Sequence, residues 1–305
     1  MGLELREFGA FPLSRPRARG PVRGPHFDLA DRDRLVFQDA TEVRDLRRAG
    51  VDLRVIGCHG GETPKHRTSA FVLDDRLAID AGSLTSGMDL EAQCALEAVL
   101  VSHAHLDHVR DLATIADNRC QRGSPPLIIA GTKATLAILK KHFFNNLLWP
   151  DFSVIPNRRR PAIRYLELKP EKVVPIAGYD VRAIAVNHTI ECCAFTIRGP
   201  KGSLAYSGDT GPTERLWEVL NETEDLKALL MEVSFPNHLG QLARVSGHHT
   251  PETLGREMRK LERSKELPTL LYHIKPSFQA TVERECARLS RLNLTICSLG
   301  DQFLL

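Results

Sequence analysis

The sequence predicts an α/β protein of the α+β type, built from two sheets that pack on each other with helices outside. Three observations predict it. Short apolar runs rich in Val, Ile and Leu recur between residues 52 and 297, bounded by Gly, Pro or charged residues as strands are. Each half of that stretch carries strands first and helix-compatible segments later, which suits a sheet with helices along its outer face. Histidines and aspartates stand where apolar runs stop, the placement expected when strand ends build a site.

The 305 residues are ample for a full hydrophobic core and could hold one large domain or two small ones. A formal charge of +3 argues for neither a nucleic acid nor a membrane surface as partner. No apolar run approaches the roughly eighteen residues of a membrane span, and the N-terminus lacks the apolar core of a signal peptide. Seven cysteines without a C-x-x-C pair read as reduced thiols, the adjacent Cys192 and Cys193 as small core residues. Together these features predict a cytoplasmic chain.

Residues 1–50 read as a partly flexible extension ahead of a domain at 51–305. Within it, residues 12–25 hold four arginines and four prolines, which disfavours helix and sheet alike. No aromatics interleave there as a nucleic-acid arm would require, so a solvated segment is expected. Residues 27–49 are charged and helix-compatible. A strand at 52–57 runs into Gly57, Gly60 and Gly61, which permit tight turns. Residues 69–73 and 76–79 flank Asp74-Asp75 as a hairpin whose second run ends at Asp80-Ala81-Gly82. A helix at 90–98 precedes the run Ala98-Val99-Leu100-Val101. A helix at 112–116, a strand at 126–130 and a helix at 132–146 follow, the last with Leu136, Leu139, Phe143 and Leu147 facing the core. Strands then dominate from Ile163, with runs at 173–176, 181–186, 193–197 and 204–206. Helices at 214–220, 251–263 and 278–289 finally alternate with strands at 228–233, 269–272 and 294–297.

The stretch Ser102-His103-Ala104-His105-Leu106-Asp107-His108 follows an apolar strand and opens a helix-like segment. Three imidazoles and one carboxylate on a single turn suit zinc, manganese or iron, with no thiolate among them. His188, Asp209 and His273 each follow a strand pattern in the same way. His248 lies in Gly247-His248-His249-Thr250-Pro251, just before a helix that Thr250 can cap with Pro251 at its first position.

These residues resemble the metallo-β-lactamase fold superfamily over almost all of the chain beyond its N-terminal extension. The resemblance implies a four-layer αββα sandwich and two divalent transition-metal ions, zinc first, with manganese and iron as alternatives. It implies that His103, His105 and His188 hold one ion, that Asp107, His108 and His273 hold the other, and that Asp209 bridges both. Asp80 would stand behind them and orient the turn. The segments Met231-Glu-Val-Ser-Phe-Pro-Asn237, Gly247-His-His-Thr-Pro251 and His273-Ile-Lys-Pro276 look like the class II 3′,5′-cyclic-nucleotide phosphodiesterases. His249, where that family usually has leucine, departs from the pattern.

The implied reaction is metal-assisted hydrolysis of cyclic AMP or cyclic GMP to a nucleoside 5′-phosphate. Asp107, Glu232 and His248 form the expected catalytic set, with His248 held by Glu232 and serving the departing 3′-oxygen. Lys275 and His248 are the expected contacts to the substrate. The expected partner is thus a small cyclic nucleotide, with neither membrane nor nucleic acid, and a homodimer stays open as the assembly. The alternatives are an RNA-end-processing phosphodiesterase, a thioester or lactam hydrolase, and a non-catalytic cyclic-nucleotide-binding regulator. The first would carry a protruding basic arm, and Arg158-Arg159-Arg160 is the only internal basic run. The intact ligand set weighs against the last.

Overall fold

The computed structural model describes residues 50–305, so the predicted extension, with its arginine- and proline-rich part and its helix-compatible part, lies outside the described residues. One sheet contains β1 (Asp52–Gly57), β2 (Ala70–Leu73), β3 (Leu77–Ile79), β4 (Ala98–Leu100), β5 (Leu127–Gly131), β6 (Ile163–Glu167) and β14 (Gln302–Leu304), in the order β14-β1-β2-β3-β4-β5-β6. The other contains β7 (Val173–Ile176), β8 (Tyr179–Val186), β9 (Cys192–Gly199), β10 (Gly202–Tyr206), β11 (Leu226–Glu232), β12 (Thr269–Tyr272) and β13 (Leu294–Ile296), in the order β13-β12-β11-β10-β9-β8-β7. In the first sheet the pairs from β14 to β3 are antiparallel and those from β3 to β6 parallel. The second repeats this, antiparallel from β7 to β10 and parallel from β10 to β13. Parallel strands leave their carboxyl ends along one edge, where ligands of α/β sheets gather.

Side-chain alternation creates the layers. Along β2, Phe71 and Leu73 face one core while Ala70 and Val72 face another. Along β11, Ala228 and Leu230 join the first of these, and Leu229 and Met231 turn to a third. The shared core lies between the sheets and includes Phe71, Leu100, Phe195, Tyr206 and Tyr272. Outside the first sheet, α1 (Leu84–Gly87), α2 (Leu90–Ala95), α3 (Leu106–Val109), α4 (Leu112–Arg122) and α5 (Lys133–Ile138) follow, with Leu112, Ile115 and Leu136 packed in the second core. Outside the other sheet, α6 (Arg215–Glu222), α7 (Gly240–Val245), α8 (Pro251–Glu257) and α9 (Gln279–Cys286) follow, with Trp217, Leu254 and Val282 packed in the third. The predicted αββα sandwich is therefore observed.

Local chemistry sets several of the boundaries. Thr132 caps α5, and Thr250 closes a capping box with Thr253 ahead of Pro251 in α8. Gly123, at φ +64°, ends α4, which runs well past the predicted 112–116. The predicted helix at 132–146 gives way to a π turn over Leu139–Phe143. Asn145 Oδ1 then accepts from the backbone N–H groups of Leu147 and Leu148, an alternative to the helical bonds. Leu147 accordingly leaves the apolar stripe and is 92% exposed. The helix predicted at 251–263 tightens after Glu257 into a 3-10 turn over Met258–Lys260. All seven cysteines are free thiols, and Cys192 and Cys193 are buried. Among the described residues no helix is long and apolar enough to cross a membrane.

Candidate metal centre

The histidine turn is shaped from behind by Asp80. This residue directly follows β3 with φ +56°, its N–H bonded to the Leu100 carbonyl at 2.8 Å. The buried carboxylate accepts four hydrogen bonds: from Ser102 N–H (2.8 Å), Ser102 Oγ (2.8 Å), His108 Nδ1 (2.7 Å) and Tyr206 Oη (2.6 Å). This donor set fixes the His108 ring with Nε2 turned forward. Gly82 completes the support, since a Cβ there would lie 2.0 Å from the Asp107 carbonyl oxygen.

The other histidines are oriented by the same logic. His103 Nδ1 donates to Ser102 Oγ (3.0 Å), His188 Nδ1 to the Gly247 carbonyl (2.9 Å) and His273 Nδ1 to Ser234 Oγ (2.9 Å). Their Nε2 atoms are thereby left with lone pairs facing inward. His103 Nε2 and His188 Nε2 stand 3.0 and 3.2 Å from His105 Nδ1. The three ring nitrogens thus converge on one small space. Beside it, Asp209 Oδ2 lies 3.2 Å from His273 Nε2, 3.3 Å from His108 Nε2 and 3.8 Å from His103 Nε2. Asp107 Oδ2 lies 3.4 Å from His273 Nε2 and 4.0 Å from His108 Nε2.

The sets His103, His105, His188 and Asp107, His108, His273 each bring ligand atoms within 4.8 Å of one another, and Asp209 joins His103 and His108 in a third such group. His108 Nε2 and Asp209 Oδ1 are buried with no hydrogen-bond partner among the described residues. Buried polar atoms are rarely left so, and a divalent cation satisfies both. The residues present therefore fit divalent metal. Burial pushes the Asp209 carboxyl upward, yet His273 and His108 outweigh it and hold it well below the ordinary range, while Asp209 and Asp80 in turn hold the buried His108 well above the usual imidazole value. Burial likewise holds His103, His105, His188 and His273 below the usual imidazole value, which suits neutral ligands.

His248 sits at the rim of this cluster, its ring stacked on His273 with centroids 5.1 Å apart. Its Nδ1 is 3.3 Å from Glu232 Oε1 and 3.2 Å from Ser234 Oγ. Glu232 is fully buried at the end of β11, and that burial pushes its carboxyl up to about 7. Burial, assisted by the Lys275 charge, holds His248 below its ordinary value. Lys275 is half-buried two residues beyond His273. His59 and His66, which had no assigned role, pair with each other at 4.7 Å outside the ligand groups.

All the residues singled out from sequence are thus brought to one edge between the sheets. The sequence reading missed the hydroxyls of Ser102, Tyr206 and Ser234. Ser234 alone left a signal, standing two residues after Glu232 and hence on the same face of an extended chain. The departure at His249 has a measurable cost. Its backbone N–H donates to Glu232 Oε1 at 2.9 Å and its Nδ1 reaches Thr253 Oγ1 at 3.2 Å, but its buried Nε2 finds no partner among the described residues. An unsatisfied buried group costs about 1–3 kcal/mol. His249→Leu keeps the backbone bond and the volume, so it is expected to raise the melting temperature by about 2–4 °C per kcal/mol recovered. A thermal melt showing a lower midpoint would contradict that account.

A two-sheet sandwich that gathers histidines and aspartates at its strand ends defines a metal-dependent hydrolase. Residues 83–274 match the family described as "Beta-lactamase superfamily domain". The chain is 30% identical over 280 residues to the 3′,5′-cyclic-nucleotide phosphodiesterase of Aliivibrio fischeri, covering 75% of this chain and 82% of that protein. It is 26% identical over 283 residues to a probable 3′,5′-cyclic-nucleotide phosphodiesterase of Yersinia pestis, covering 77% of this chain and 81% of that protein. The crystal structure of unliganded yeast PDE1 superposes with a TM-score of 0.72 at 20% identity, covering 84% of this chain and 100% of that one. The chain belongs to the β-lactamase superfamily and, within it, to the 3′,5′-cyclic-nucleotide phosphodiesterase family.

Proposed function

We propose that residues 51–305 form a dinuclear-metal phosphodiesterase domain that hydrolyses 3′,5′-cyclic nucleotides to nucleoside 5′-phosphates. The observation that carries this reading is the Glu232–His248 pair at the rim of a cluster with two adjoining ligand sets. His103, His105 and His188 would hold one ion and Asp107, His108 and His273 the other, with Asp209 between them. Zinc suits this imidazole-rich set best, with manganese or iron as substitutes. Bound ions would supply Lewis acidity toward phosphate oxygens and a lowered pKa for water.

The protein's own groups do the rest. His248 Nδ1, anchored on Glu232, leaves Nε2 free to face the departing 3′-oxygen. A phosphate beside His248 favours its imidazolium form, which then donates its Nε2 proton as the ester bond breaks. The product is a nucleoside 5′-phosphate with a free 3′-hydroxyl. Lys275 adds a positive charge near the same phosphate. Asp107 would serve catalysis as a carboxylate ligand beside His108 and His273. The substrate is a small molecule in a cytoplasmic setting, with no nucleic acid or membrane partner. A homodimer is compatible with this reading, since every residue used here comes from one chain.

The test is turnover of a small panel by zinc-loaded protein: cyclic AMP, cyclic GMP, bis-p-nitrophenyl phosphate and a thioester. Cyclic nucleotides are expected to give 5′-phosphates, with close to two transition-metal ions per chain by elemental analysis. A preference for the thioester, or full activity with one ion or none, would overturn the reading.

A further inference from the structure

The Ser234 hydroxyl has no role in the scheme above, yet it touches both functional halves of the site. It is completely buried just beyond β11, on the side of Glu232. Oγ lies 2.8 Å from Glu232 Oε2, 2.9 Å from His273 Nδ1 and 3.2 Å from His248 Nδ1, with a longer 3.3 Å contact to the His273 carbonyl. A hydroxyl has one proton and two lone pairs. The proton goes to the carboxylate, its nearest acceptor, and the two lone pairs face the Nδ1–H of His273 and that of His248, the latter shared with Glu232 Oε1. Every bonding capacity of the group is then used. His273 Nδ1 has no other partner among the described residues.

We propose that Ser234 is a positioning residue that sets the tautomer and tilt of His273 and His248 together, tying the metal ligand to the leaving-group proton donor. The roles of the two histidines rest on the functional reading above. With both Nδ1 atoms engaged on one oxygen, both Nε2 atoms turn into the site. The rings are stacked in series, His248 on His273 at 5.1 Å and His273 on His108 at 5.4 Å. Without the hydroxyl, His273 loses the hydrogen bond that orients it, and His248 keeps only its 3.3 Å contact to Glu232.

The experiment uses zinc-loaded full-length protein with Ser234→Ala and Ser234→Thr. Partners that orient metal-bound histidines are typically worth 10–100-fold in metal affinity or activity. Ser234→Ala is therefore expected to bind one of its zinc ions about 10–100-fold more weakly in competition with a chromophoric chelator. At saturating zinc its kcat on a cyclic nucleotide should fall, with KM little changed. Ser234→Thr keeps a hydroxyl and should restore both. The ring ¹⁵N shifts should show Nδ1–H tautomers for both histidines in the wild type and mixed tautomers in Ser234→Ala. Unchanged zinc affinity in Ser234→Ala overturns the proposal, as does a Ser234→Thr protein equally impaired, because then space and not the hydroxyl matters. Should Ser234→Ala fail to fold, Ser234→Cys, a weaker acceptor of similar size, carries the same measurements. A wild type inactive on cyclic nucleotides would overturn the functional reading alone, since zinc competition and the ¹⁵N shifts still decide the role of Ser234.

Discussion

Asp209→Ala is expected to bind neither ion tightly and to lose turnover by roughly 10³-fold or more, beyond the loss of a single oxyanion donor. Its carboxylate touches both proposed ligand sets, standing 3.2 Å from His273 Nε2, 3.3 Å from His108 Nε2 and 3.8 Å from His103 Nε2. No other acid among the described residues lies in that position. The backbone of its loop is held independently, by Ser207 N–H on the Leu230 carbonyl and Gly211 N–H on the Asn187 carbonyl, so the fold should survive. Elemental analysis after gel filtration, with a thermal melt alongside, makes the check. His273→Ala should empty mainly one site. An Asp209→Ala protein that keeps two ions would show that the carboxylate does not bridge.

His248→Ala should keep its ions and its fold while turnover of a cyclic nucleotide falls by about 10²–10⁴-fold, the usual range for a lost general acid. The loss should be much smaller on bis-p-nitrophenyl phosphate, whose leaving group departs without a proton. Glu232→Gln should follow the same pattern more mildly, since it orients and polarises the ring without meeting substrate. Equal losses on both substrates would move His248 to phosphate binding. Loss of metal would make it a ligand, a role its closeness to His188 and Asp209 makes worth testing.

Much of the site was legible because strand ends announce themselves. An apolar run that stops at His103, His188, Asp209 or His273 reads as a strand delivering a polar group to a sheet edge, and the structure puts all four at one edge. What stayed hidden was pairing at a distance. Tyr206 reads as one more apolar strand residue, yet its hydroxyl crosses between the sheets to Asp80. Ser102 is an ordinary serine until the ring nitrogen beside it is seen, and the spacing of Ser234 from Glu232 does not reveal the rings it meets. β14 is only three residues long, too short for periodicity to register, and its partner β1 lies at the opposite end of the described chain. Leu147 fits a helical stripe, but Asn145 binds the next backbone N–H groups and takes the chain out of the helix first.

The proposed ligands divide between the sheets. His103, His105, Asp107 and His108 leave the end of β4, whereas His188, Asp209 and His273 follow β8, β10 and β12. Each ion would therefore act as a rivet joining two halves that share one strand order. A ligand held by the native state alone stabilises it by about 2.7 kcal/mol at a hundred times its dissociation constant. That is a large share of the 5–15 kcal/mol typical of a folded domain. The cohesion of the sandwich would then follow the free-metal concentration around it. Stripped of metal, the chain would be expected to melt at a lower temperature.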